Sequence, residues 1–185
     1  MKLRLIFALL AGLALTSAGK SVSADELSLV PEKSTIEFVG SKPDGKHKGG
    51  FKKFEAAAIA DFENPSRSSL NIQIDAKSLW SDDEKLTNHL KNPDFFDVRK
   101  YPAITFESVE IVPGEGEEKQ AMIKGDMQML GKSVAIEVPI QAQVTEESVE
   151  ITTEFAIDRT KWGMTYGEGK IDKEVKITAK LHFKR

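Results

Sequence analysis

The chain has no cysteine, which removes disulfide staples, thiolate metal sites, thiol nucleophiles and redox relays together, and suits an oxidising compartment. Histidine is scarce. His47, His89 and His182 share no ligand spacing and no His-Glu-x-x-His or similar cluster occurs, so no metal centre is expected. The sequence lacks a phosphate loop, since Gly49-Gly50 and Gly167-Glu168-Gly169 are too short to be one, and it lacks a Ser/His/Asp order with an elbow motif. An enzyme is therefore not expected. Basic excess is missing too, because 29 acidic residues outweigh 26 basic ones, so nucleic acid is not an expected partner. No apolar run reaches the roughly 20 residues that span a bilayer.

The longest such run, Leu5 to Leu15, follows Lys2 and Arg4 and precedes Val22-Ser23-Ala24, which has the small-residue spacing of a signal-peptidase site. Residues 1–24 read as a cleaved signal peptide, with Ala18 as an alternative cleavage point, and no cysteine follows that would take a lipid. The mature protein is expected to be soluble and periplasmic or secreted. Without Lys2, Arg4 and Lys20 its net charge falls to about −6. Residues 25–185 make one domain, long enough to bury roughly 70% of its unfolded surface.

Most of that domain alternates apolar and polar residues. Ile36 and Phe38, then Leu70, Ile72, Ile74 and Ala76, are period-2 faces. Residues 41–48 read as a polar turn around Pro43-Asp44-Gly45, and the paired Gly49-Gly50 as a bend or bulge before Phe51. Beyond Pro102, Ile104 and Phe106 change parity to Val109 and Ile111, which predicts a bulge near Ser108. Residues 113–118 form a solvated turn, and Leu130-Gly131-Lys132 a tight hairpin. Long faces follow at 134–144, 149–157 and 175–183.

One stretch breaks this pattern. Ser81-Asp82-Asp83-Glu84 has the form of a capping box, Leu86 and Leu90 share a helical face, and Pro93 stops the helix near Lys91. Phe95-Phe96 and Tyr101-Pro102 then lead back into strand. The count is roughly eight strands in meander order with one short helix near 81–91, an all-β antiparallel barrel whose closure removes exposed edges. A barrel of about eight strands has room for one ligand. Its expected apolar lining is Phe38, Ile72, Ile74, Ile104, Phe106, Met127, Met129, Ile136, Phe155 and Ile157, with Leu86, Leu90, Phe95, Phe96 and Trp162 contributed by the helix and loops. Such a lining calls for a long apolar ligand.

Four segments resemble the YceI-like family of exported proteins: His47-Lys48-Gly49-Gly50-Phe51-Lys52-Lys53-Phe54; residues 89–97 continuing into Tyr101-Pro102-Ala103-Ile104-Thr105-Phe106; Met129-Leu130-Gly131-Lys132; and Phe155-Ala156-Ile157-Asp158-Arg159-Thr160-Lys161-Trp162-Gly163-Met164. The resemblance covers nearly all of the mature chain. It implies a lipocalin-like barrel whose tunnel binds a polyisoprenoid or an isoprenoid quinone, with no covalent cofactor. A homodimer and a transient membrane contact are compatible with it.

Each singled-out residue has a plainer reading beside its functional one. His89, near the helix carboxyl end, suits the helix dipole and a bond to the following loop, or a contact to a ligand head. Arg159 follows Phe155 and Ile157 at strand spacing and points inward, so it needs Asp158, Asp97, a carbonyl or a polar head as partner. Phe95 and Phe96 anchor the loop or gate the mouth. Trp162 is expected to plug an end, its indole N–H on a carbonyl. The alternatives to a carrier are an enzyme that modifies such a lipid, using His89 or Arg159, and a stress-related interaction protein whose barrel is filled by side chains.

Overall fold

Residues 24–114 and 120–185 are described by the computed structural model of the chain. The expected signal peptide, apart from Ala24, and most of the expected 113–118 turn lie outside them. Strands β1 (Asp25–Leu29) and β2 (Thr35–Lys42) are two halves of one stave, broken by a 3-10 turn at Pro31–Lys33 that proline starts. β3 (Gly45–Phe51) and β4 (Phe54–Ala60) form the second stave, kinked at Lys52 and Lys53. β5 (Ser69–Asp75) and β6 (Leu79–Ser81) form the third, bent at Ala76–Ser78 where the Asp75 carboxylate accepts from the Lys77 amide.

After helix α1 (Glu84–Leu90) come five unbroken staves: β7 (Ala103–Val112), β8 (Ala121–Met129), β9 (Lys132–Val144), β10 (Ser148–Asp158) and β11 (Glu174–Lys184). All pairings are antiparallel between successive staves, and β11 returns to both β1 and β2. The described residues thus close an eight-stranded meander barrel with one helix, the expected fold.

Several local expectations hold for their stated reasons. The ladder between β7 and β8 slips between Ser108 and Glu110, and Val109, the extra residue, is 74% exposed. Leu130 and Gly131, at φ 53° and 74°, make the tight turn between β8 and β9. Others are corrected. The 41–48 turn shrinks to Pro43 and Asp44, because the β2–β3 ladder runs on to Lys42 and Gly45. Gly49 and Gly50 are regular ladder residues instead of a bend. Their role is close approach: a Cβ on Gly49 would strike the Phe38 ring and lie 2.6 Å from the Trp80 carbonyl. Asp83 caps α1 in place of Ser81, accepting from the Leu86 amide at 2.7 Å. Ser81 ends β6, and its hydroxyl donates to the Asp83 carbonyl at 2.7 Å.

The interior is not uniform along the barrel axis. At the end away from α1, Leu27, Leu70, Val149, Leu181 and Phe183 are 0–5% exposed and meet across the lumen with Ile123. This end is filled. At the other end the same interior rows surround open space.

Candidate functional site

That open space is a cavity of about 330 Å³ in the half of the barrel next to α1. It lies toward the lower end of the range for small-molecule sites, about 300–1,000 Å³. Its wall takes Phe38 from β2, Ile74 from β5, Ile104 from β7, Met127 and Met129 from β8 and Ile157 from β10, all expected lining positions. Leu86, Leu90, Phe95 and Phe96 close it from above, also as expected. Phe96 packs tilted against Phe38 and edge-on against Phe51 at centroid distances of 6.3 and 5.8 Å, so the loop after α1 plugs onto the sheet through an aromatic trio. Both adjacent phenylalanines reach the cavity because a turn, not a strand, carries them.

Five expected lining residues lie elsewhere. Ile72 and Phe106 are in register with each other and with the wall residue Met127 but do not themselves line the cavity. Ile136, Phe155 and Trp162 line a separate cleft of about 200 Å³ between β9 and β10. It exists because those two strands pair only from Gln141–Thr152 to Val144–Val149 and then part. Pro139, which has no amide hydrogen, sits where they separate, its carbonyl accepting from the Thr153 hydroxyl at 2.6 Å. Trp162 is 1% exposed and its indole N–H donates to the Met127 carbonyl at 2.9 Å, as expected of a plug.

The sequence reading missed half of the cover. A flap, residues 163–173, folds over the mouth and contributes Met164, Tyr166 and Ile171. Gly163, at φ 90°, turns the chain into it. No periodicity marks such a loop, although its glycine spacing signals a reversal. Ile36, Val175 and Ile177, on recognised strand faces, also line the cavity.

Arg159, 3% exposed, is the pin of this flap. Its Nη1 donates to the Met164 carbonyl at 2.6 Å, Nε to Asp172 at 3.0 Å and Nη2 to Ile171 at 3.3 Å. Burial pushes its pKa down, opposed by the nearby Asp158 and Glu168 charges. Carbonyl pairing was among its expected partners; Asp97 is not a partner in the structure.

Two histidine–aspartate pairs hold the cover from α1. His47 Nδ1 lies 2.9 Å from Asp82 Oδ1, while Asp82 Oδ2 accepts from the Lys48 amide and the Asp82 amide donates to the Lys48 carbonyl, each at 2.9 Å. The Lys48 amide, then His47, keeps the Asp82 carboxyl below its ordinary range. His89 Nε2 lies 2.9 Å from Asp94 Oδ2, and its ring meets Phe95 and Tyr166 edge-on at 5.0 and 4.9 Å. The bond from His89 to the following loop is thus present. Among the described residues no cluster of three or more His, Asp or Glu side chains could hold a metal ion. The arrangement suits holding an apolar molecule under a polar rim.

Known proteins place this barrel. A family model described as a YceI-like domain matches residues 27–183. A UPF0312 protein of Pseudomonas putida strain GB-1 is 34% identical over 134 residues, 70% of this chain and 68% of that protein. A UPF0312 protein of Vibrio cholerae is 36% identical over 90 residues, 48% of this chain; the chain spans a little under half the length of that relative, 46%. In three dimensions the barrel is similar to Burkholderia cenocepacia BcnA, with TM-score 0.78 and 24% identity over 84% of this chain and 99% of that one. It is similar also to a polyisoprenoid binding domain from Saccharophagus degradans, with TM-score 0.66 and 13% identity over 85% and 97%.

Proposed function

We propose, since the chain belongs to the YceI-like family, that it is a non-enzymatic binding protein that carries an isoprenoid lipid or isoprenoid quinone, its chain in the barrel cavity and its head at the rim. The observation that carries this reading is a cavity walled by aliphatic, methionine and aromatic side chains with polar groups only around its mouth. An apolar chain entering it leaves water at about 25 cal/mol per Å² buried, and a polar head stays where His47, His89 and Lys42 stand. The name of the Saccharophagus degradans domain, polyisoprenoid binding, fits the same ligand class. The leader expected at residues 1–24 would bring the protein to the periplasm, where it would take its ligand from or deliver it to a membrane.

The test is extraction of purified mature protein with organic solvent followed by mass spectrometry, with uptake of added isoprenoid quinone measured beside it. A co-purified prenyl lipid or saturable uptake is expected. Neither one appearing would overturn the proposal.

A further inference from the structure

Apart from Tyr166, the ionisable side chains that line the cavity are Glu37, Lys42, His47, His89 and Arg159, and each is already engaged. Glu37 Oε1 lies 2.9 Å from Lys48 Nζ, and Lys42 Nζ lies 3.4 Å from Asp44 Oδ1. His47 and His89 each stand 2.9 Å from a carboxylate, that of Asp82 and that of Asp94. Arg159 is 3% exposed, donates to three backbone carbonyls, and has the Asp158 and Glu168 charges close enough to act on it. Among the described residues, no cation of the cavity wall is left over for an incoming anion. This balance holds in either state of the histidines. With a neutral imidazole each histidine–aspartate pair carries one net negative charge, and with a protonated one it carries none. In neither state do the pairs hold excess positive charge.

We infer that the rim selects prenyl lipids with an uncharged head, and that Asp82 and Asp94 are the residues that turn prenyl phosphates away. The inference rests on the isoprenoid reading above and deepens it by naming the class of head. A phosphate beside His47 meets the Asp82 carboxylate across one imidazole ring, and one beside His89 meets Asp94 in the same way. Like charges at that range repel, and no unpaired cation of the wall offsets the water that the phosphate gives up. To take His47 for itself, the phosphate must displace Asp82, whose Oδ2 also holds the Lys48 amide at 2.9 Å. An uncharged hydroxyl or carbonyl needs only a hydrogen bond. The Tyr166 hydroxyl, on a cavity-lining side chain 45% exposed, gives or takes one, and Lys42 gives one. The tail gains the same burial under either head, so the head decides between them. Because the side chains of the two pairs are 36–51% exposed, salt screens the repulsion.

Asp82 and Asp94 are thus specificity-determining residues in addition to fastening the cover. The experiment measures binding of geranylgeraniol and geranylgeranyl phosphate, which share one tail, to the mature wild-type protein and to Asp82→Asn, Asp94→Asn and the double variant. Asparagine removes the charge and keeps a carbonyl oxygen for the Lys48 amide. At low salt wild type is expected to bind the alcohol at least about tenfold more tightly than the phosphate, and added sodium chloride should narrow that ratio. Each single substitution should shift the ratio about threefold toward the phosphate, and the double variant about tenfold. A merely structural role would weaken both ligands together. A ratio unmoved in the double variant would therefore overturn the part given to the two aspartates. Phosphate bound by wild type as tightly as the alcohol would overturn the selection of an uncharged head while leaving the isoprenoid reading intact. No binding of either ligand by wild type would overturn both.

Discussion

The two halves of this barrel are built from the same kinds of residue in the same alternation, yet one is solid and the other hollow. Toward the filled end β11 offers Leu181 and Phe183, at 3% and 0% exposure; toward the mouth it offers Val175 and Ile177, which face a cavity. Part of the difference lies in the wall, because β9 and β10 pair only toward the filled end and separate toward the mouth. The rest lies in the end cover. At the filled end inward side chains meet one another, whereas at the mouth α1 and the flap span the opening and side chains stop short of each other. The hollow half therefore depends on its cover for shape, and the solid half only on packing.

Mutations should separate the halves, and the largest effect belongs to the solid one. Phe183→Ala is expected to cost about 3–5 kcal/mol of unfolding free energy in urea, since a fully buried ring leaves a void that its neighbours cannot fill. Ile177→Ala, on the cavity wall, should fall near or below about 2 kcal/mol, the low end for such truncations, because open space already lies on one side of it. Equal losses would break the comparison. Next in size is Arg159→Met, which leaves the Met164, Ile171 and Asp172 carbonyls without their donor. A cost of about 1–3 kcal/mol is expected. Limited proteolysis should then cut first within residues 163–173, and a cut elsewhere would show that Arg159 does not hold the flap.

The barrel was legible in the sequence because period 2 is a direct consequence of strand geometry, and ten inward positions from Phe38 to Ile157 lie on interior faces. Hollow and solid were not legible, because alternation tells which face is dry and nothing about what stands opposite. Phe106 and Ile72 looked like wall for that reason. Ile136 and Phe155 were misplaced because a gap between β9 and β10 depends on strands that part near Pro139, which no one-strand pattern reveals. The 163–173 flap carries its meaning in long-range bonds to Arg159. The α1 cap shifted from Ser81 to Asp83 because both residues can cap and β6 takes Ser81 into the sheet.

Gly40 tests the hollow half without disturbing the solid one. It faces inward at the mouth, and a Cβ built on it meets nothing within 4 Å. Gly40→Leu should leave stability unchanged or raise it by up to about 1 kcal/mol, because glycine in a strand costs entropy on folding. Uptake of an isoprenoid quinone should fall at least tenfold as the new side chain occupies the entrance. Uptake unchanged by Gly40→Leu would place the entrance elsewhere.

The smallest effect is expected at Asp82, where the cover joins β3. Its carboxyl is held below the ordinary value of 3.8 in the fold, first by the Lys48 amide and then by His47. A depressed folded value means that the ionised carboxylate contributes stability above the unfolded value, and that this contribution is lost as pH falls through the folded one. The difference in unfolding free energy between wild type and Asp82→Asn should therefore be constant above about pH 4 and shrink below it. Because Asp82 fastens only the cover, the same pH change should leave the difference between wild type and a filled-end variant such as Leu181→Val unaltered. If both differences shrank together on acidification, the cover and the solid end would be one cooperative unit, and the contrast between the halves would be one of shape without a matching difference in local stability.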